Sequence, residues 1–187
     1  DLARHAGVHP RIGALDVCPF VPLDGYGAEE SSRLLRQVES FGIEFAERHQ
    51  VPVFLYEKSE QGRHEADLPS LRKGGFGALV ERELVPDFGP SYAHPQNGVA
   101  VVGVRDFLIA MNVNLTPDRL DIARSLASQI RNLRAAGDPR FLGVRALGLR
   151  LPTRNQVQVS MNLTLPNLTS PDSLIEWVEF EASRQEL

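Results

Sequence analysis

Apolar and polar positions follow two rhythms along the chain. A short apolar run from Ile12 to Leu23 reads as a strand, and Glu29 to His49 then places Leu34, Leu35, Val38, Phe41, Ile43 and Phe45 at helical spacing. Val51 to Tyr56 is a second strand. The polar stretch Glu57 to Asp67 carries charge without periodicity and reads as an exposed loop, and Leu68 to Leu84 as one or two short helices interrupted by Gly74-Gly75. Pro and Gly crowd Val85 to Gly98, predicting an ordered, ligand-facing loop, with a linker as the plainer alternative.

The second half continues with an apolar stretch from Val99 to Leu115, broken or bent near Arg105. Thr116-Pro117-Asp118 opens a helix with proline in its first turn, and its stripe is Leu120, Ile122, Ala123, Leu126, Ile130 and Leu133. Gly137-Asp138-Pro139 stops it. Strands follow at Leu142 to Leu151 and Gln156 to Leu165, joined by a turn at Pro152 to Asn155, and Ser170-Pro171-Asp172 opens a last helix. The order β-α-β-β-α matches a ferredoxin-like lobe lacking its last strand. The expected fold class is therefore α+β: two ferredoxin-like α/β sandwich lobes at 1–103 and 104–187, with antiparallel-rich sheets, helices on one face and the first lobe incomplete.

Composition narrows the function classes. With 187 residues, 42% of them hydrophobic, the chain can build a globular core. A net charge of -4 without a basic stripe argues against nucleic acid and anionic membrane surfaces. One cysteine permits no internal disulfide, and no apolar run reaches the ~20 residues of a membrane span, so a reducing cytoplasm is the simplest expectation. The chain begins at Asp1 without a secretory leader and reads as a truncated start. The Asn-Leu-Thr triplets at Asn114, Asn162 and Asn167 read as accidental sequons, the first two falling in or at the end of strand-like runs.

Two features carry candidate chemistry. Gln156, Gln158, Ser160 and Asn162 alternate with Val157, Val159, Met161 and Leu163, and Asn112 and Asn114 alternate with Met111, Val113 and Leu115. Period two places these amides and the hydroxyl on one sheet face, either as a binding surface or as a merely solvated exterior. An amide offers two donors and an acceptor to a pterin edge or a carboxylate. The other feature is His9, which Gly7 and Pro10 place on a loop feeding a strand. By pattern alone it is a turn histidine. His5 and His9 have metal-ligand spacing only on a helix, which Gly7 and Pro10 oppose, so no metal site is expected. Arg11 suits a substrate carboxylate or a surface ion pair, and Asp16 either orients His9 or plays a structural part. Cys18 reads as a small buried hydrophobe and Trp177 as core or interface.

The run His9-Pro10-Arg11-Ile12-Gly13-Ala14-Leu15-Asp16-Val17-Cys18-Pro19-Phe20 resembles the signature of the glutamate formiminotransferases, the folate enzymes of histidine breakdown. Collinear similarities follow at Val51-Pro52-Val53-Phe54-Leu55-Tyr56, Pro86-Asp87-Phe88-Gly89-Pro90, Phe107-Leu108-Ile109-Ala110-Met111-Asn112-Val113-Asn114-Leu115 and Gln158-Val159-Ser160-Met161-Asn162-Leu163. Members of that family carry a further N-terminal segment with a strand, a helix and acidic site residues. The resemblance implies a cytoplasmic one-carbon transferase that moves a formimino group from 5-formiminotetrahydrofolate to L-glutamate. Tetrahydrofolate is the carrier, no metal is needed, and a homodimer is expected.

It also implies that His9 is the catalytic proton shuttle and that Asp87, Phe88, Gly89, Pro90, Ser91 and Tyr92 form the folate loop. Phe88 or Tyr92 would flank the flat ring, and the resemblance favours Asn112, Asn114, Gln158, Ser160 and Asn162 as the lining of a groove over a solvated exterior. A non-catalytic folate-binding or interaction protein, and a related transferase with another amine acceptor, are the competing readings.

Overall fold

The computed structural model describes residues 2–4, 11–23, 27–80, 82–116, 119–151 and 154–185. The chain divides into two compact units, Asp1–Asp106 and Phe107–Leu187. The apolar stretch expected to bend near Arg105 is in fact two strands in two different sheets, Ala100–Val104 and Ile109–Leu115.

The first unit contains β1 (Asp16–Phe20), α1 (Ala28–His49), β2 (Val53–Leu55), α2 (Leu68–Leu71) and β3 (Ala100–Val104). Its sheet has the order β1-β3-β2, and β3 is parallel to both neighbours. The expectation of antiparallel-rich sheets therefore applies to the second unit only. Each strand here is followed or preceded by a long excursion that returns the chain to the same end, and hairpins, which would make antiparallel pairs, are absent among the described residues of this sheet. The strand predicted over Ile12 to Leu23 shrinks to β1 because Asp16 sits at φ 59°, in the left-handed region, which breaks the extended backbone before Val17. Every residue of β3 is buried, as expected of a central parallel strand. Val38 and Ala46 of α1 pack with Val53, Leu55, Ala100 and Val102. A second cluster of Ile12, Tyr56, Leu79, Leu84, Val99 and Val101 lies under the loops.

The second unit contains β4 (Ile109–Leu115), α3 (Leu120–Ala135), β5 (Val144–Leu151), β6 (Gln156–Leu163) and α4 (Pro171–Ser183). Its sheet is antiparallel with the order β4-β6-β5, consistent with a ferredoxin-like arrangement. Ile122, Ala123, Leu126 and Ile130 of α3 and Leu174, Val178 and Ala182 of α4 pack on Val157, Val159, Met161 and Leu163. Both helices therefore cover one sheet face. Gly148 lets α3 lie directly on β5, since a Cβ there would fall 2.5 Å from the Ala123 backbone. Ser170 caps α4 through Ser173 N–H, with Pro171 in the first turn. Pro117 and Asp118, expected to open α3, lie outside the described residues. Among the described residues, no helix is long and apolar enough to cross a membrane.

Met161 lies at the centre of this core and is 1% exposed. Met161→Ala is expected to cost about 2–5 kcal/mol in urea unfolding of the second unit; a loss under about 1 kcal/mol would contradict the assigned core.

Candidate functional site

The segment that follows His9 and the loop that precedes β3 meet at a backbone crossing. Val99 N–H donates to the Ile12 carbonyl at 2.9 Å, Ala14 N–H donates to the Asn97 carbonyl at 2.9 Å, and Gly13 bridges Gly98. Only glycine permits this approach. A Cβ at Gly13 would stand 1.7 Å from the Val99 carbonyl oxygen, and one at Gly98, whose φ is +67°, 2.1 Å from that of Ile12. His9 itself lies outside the described residues, as does His5. Ile12 is buried at the crossing and Arg11 is exposed beside it, without a described side-chain partner.

Beside the crossing a cavity of about 220 Å³ is lined by Ala14, Leu15, Phe45, His49, Val51, Asn97, Val99 and Ala100. Its walls are mostly apolar. The Phe45 and His49 rings stand 4.7 Å apart along one side, and the lining includes Asn97, whose backbone carbonyl accepts Ala14 N–H in the crossing.

The residues expected in the folate loop divide into two sets. Asp87 and Phe88 turn inward. The Asp87 carboxylate, 3% exposed, accepts Leu55 N–H at 2.6 Å and lies 2.8 Å from His64 Nε2, with Arg63 3.9 Å away. Phe88 exchanges backbone hydrogen bonds with Val53 and packs on the α1–β2 core, its ring against Gly42. Their side chains are thus committed to the protein. Gly89, at φ +87°, turns the chain outward; Ser91 is exposed, and Tyr92 is 58% exposed, free to offer a ring face.

Asp16 is also committed. Its carboxylate accepts Ile12 N–H at 3.0 Å and is ion-paired with Arg72, which explains how a non-glycine residue is held at positive φ. Cys18 is half-buried, and desolvation pushes its thiol pKa up, away from nucleophilic chemistry.

In the second unit, the expected amide surface lies on the sheet face opposite α3 and α4. Asn112 stands across from Ser160, Asn114 from Gln158, and Ala110 from Asn162. Gln158 Nε2 donates to Asn114 Oδ1 at 2.9 Å and is 9% exposed, whereas Asn112, Asn114 and Asn162 are exposed. The ladder fixes the Gln158 amide while leaving exposed amides beside it. On β5 this face continues with Arg145, Leu147 and Leu149, so it is amphipathic rather than uniformly polar.

Several contributors escape a reading of sequence pattern. His64 falls in a charged stretch without periodicity. Glu60 organises that stretch, accepting N–H bonds from Gly62 at 2.7 Å, Arg63 at 2.5 Å and His64 at 3.1 Å. These bonds, from Gly62 first and then His64, hold its carboxyl below the usual range. In the 86–98 loop, His94 Nδ1 accepts N–H bonds from Gln96 and Asn97, each at 3.1 Å, closing the turn that presents Asn97 and Gly98. Glu followed within four residues by Gly and a polar run is a signal for the first turn, and His-Pro, repeated at His94-Pro95, for the second.

Residues 1–105 match the family model described as "Formiminotransferase domain, N-terminal subdomain". The chain is 38% identical over 189 residues to a glutamate formimidoyltransferase of Streptococcus pyogenes serotype M1, covering 98% of this chain and 60% of the relative. It is 39% identical over 190 residues to a glutamate formimidoyltransferase of Thermoplasma acidophilum, again covering 98% and 60%. A formimidoyltransferase-cyclodeaminase of Mus musculus is 39% identical over 194 residues, covering all of this chain and 35% of the relative. The chain thus spans about 60% of the length of the microbial relatives.

Two outcomes follow from this geometry. Gly98→Ala should cost about 2 kcal/mol or more, because a Cβ meets a backbone oxygen at a residue with positive φ; an unchanged urea midpoint would remove the crossing as a constraint. Glu60, whose folded pKa is depressed, stabilises its turn above the ordinary carboxylate range, and this is lost as pH falls through the lowered value. The Gly62 and His64 amides should therefore lose exchange protection on acidification, and protection that is flat with pH would contradict the tie.

Proposed function

Because the chain belongs to the formiminotransferase-domain family, N-terminal subdomain, we propose that it carries folate-dependent transfer of a formimino group between 5-formiminotetrahydrofolate and L-glutamate. The names of its relatives support formimino transfer. The observation that carries the fuller reading is the crossing, which stitches the segment just after His9 to the loop presenting Tyr92 and Asn97.

In this reaction the glutamate α-amine attacks the formimino carbon and a tetrahedral adduct forms. The bond from that carbon to the folate nitrogen then breaks, and the electron pair returns to that nitrogen. A proton must leave the amine and another must reach the departing nitrogen. One group that takes and returns a proton serves both steps, and an imidazole is suited to it near neutral pH. We assign that role to His9. Arg11, two residues on in sequence and exposed, is suited to a substrate carboxylate through its planar fork of donors. Gly89, Pro90, Ser91 and Tyr92 are assigned to the folate, Tyr92 through its exposed ring. Asp87 and Phe88 serve the same loop from beneath, as its anchors.

The amide face of the second unit is assigned to recognition. Exposed Asn112, Asn114 and Asn162, with Ser160 among them, provide donors and acceptors for a pterin edge or a glutamate carboxylate, and Gln158 holds Asn114 in place. A cytoplasmic homodimer in one-carbon metabolism completes the reading.

His9→Ala should lower transfer by about 10²-fold or more, while binding of the reduced folate stays near the wild-type strength. The measurement is steady-state transfer to glutamate beside a folate binding isotherm. Retained transfer would remove His9 from the mechanism. Folate binding without turnover in the unaltered protein would favour a binding protein, and turnover only with another amine would favour a related transferase.

A further inference from the structure

Residues 57–79 make the long excursion that follows β2, and their side chains reach both loops of the crossing. Each loop rests on one buried or half-buried carboxylate. Asp87 lies under the 86–92 loop and Asp16 under residues 11–16, and each accepts one backbone N–H, from Leu55 and Ile12 respectively. Each also takes side chains from the excursion: His64, with Arg63 3.9 Å away, for Asp87, and Arg72 for Asp16.

The excursion is itself well fixed. Glu60 gathers three N–H groups, Glu57 N–H donates to the Ala66 carbonyl at 2.8 Å, and Asp67 caps α2 through Ser70 N–H at 3.2 Å. Phe76 N–H then donates to the Arg11 carbonyl at 3.0 Å, a direct backbone tie to the residue two beyond His9.

We propose that this excursion is the positioning element for both substrate loops, His64 acting through Asp87 and Arg72 acting through Asp16. The kinetic part of this inference rests on the functional reading above. His64 serves as a clasp. Its Nε2 faces the Asp87 carboxylate and its Nδ1 lies 3.0 Å from the Glu65 carbonyl oxygen, so both ring nitrogens are occupied by acceptors. The ring is further held edge-on to Phe54, with centroids 5.3 Å apart. Arg72 is held through its terminal nitrogen on Asp16, while its Nε is buried without a hydrogen-bond partner among the described residues. The two clasps act on different parts of the reaction. Loosening His64 frees the folate loop and should act on binding. Loosening Arg72 shifts the segment that carries His9 and should act on the chemical step, where small misplacements are costly.

The test compares His64→Gln and Arg72→Lys with wild type in the full chain, by amide hydrogen exchange and by steady-state transfer from 5-formiminotetrahydrofolate to glutamate. For His64→Gln, faster exchange is expected at Leu55 and Phe88 but not at Ile12, with the folate KM raised roughly tenfold and kcat nearly unchanged. For Arg72→Lys, faster exchange is expected at Ile12 and Phe76 but not at Leu55, with kcat lowered roughly tenfold and little change in KM. His64→Ala should be worse than His64→Gln, which retains a donor. If His64→Gln does not fold, Asp87→Asn carries the same test, since it keeps an acceptor for Leu55 N–H.

Uniform loosening of the first unit, unchanged exchange, or local loosening with unaltered kinetics would each overturn the proposal. If wild type shows no transfer, the functional reading fails separately. The exchange pattern then still decides, local loosening supporting the clasps and uniform or absent loosening refuting them.

Discussion

Two glycines facing each other across a backbone contact govern the first unit. Gly13 and Gly98 bring the segment just before β1 and the end of the Pro-Gly-rich loop closer than any side chain allows. Because the two chains exchange main-chain hydrogen bonds there, neither can move without the other. The cavity beside the crossing is lined by residues of both segments, Ala14 and Leu15 on one side and Asn97 and Val99 on the other.

Beneath it, polar groups are spent on holding loops rather than left for ligands. Asp16 and Asp87 look in sequence like free acids beside motifs, yet both carboxylates are consumed by backbone N–H groups and by cationic or imidazole side chains. A carboxylate withdrawn from water is retained only where such partners replace its hydration. That expense buys fixed backbone, and fixed backbone is what orientation of two reactants requires. The second unit solves a different problem, burying one face of an antiparallel sheet under two helices and leaving amides on the other.

Much of this was legible in the chain. The period-two alternation from Gln156 to Leu163 placed Gln158, Ser160 and Asn162 on one face, because a strand has no other way to arrange them. The stripe from Leu34 to Phe45 and the Ser170-Pro171 start marked α1 and α4 within a residue or two. The parallel pairing of the first sheet was not legible, since β1, β2 and β3 are short apolar runs whose direction depends on where distant excursions return. Nor was the role of His64. It lies 23 residues from Asp87, in a segment without periodicity, and its meaning arises only when Glu60 bends the chain back. The inward turn of Phe88 was hidden for a similar reason: it depends on the small Gly42 on α1, nearly fifty residues earlier.

The most direct test of this account is a titration of the protein with 5-formyltetrahydrofolate, followed through its backbone amide resonances. The formyl oxygen replaces the reacting imino nitrogen and leaves the ring system intact. If the crossing unites the two segments into one site, Gly13 and Ala14 must shift together with Tyr92 and Asn97, along a single binding curve. Perturbation confined to one side of the crossing, or two unrelated curves, would contradict it.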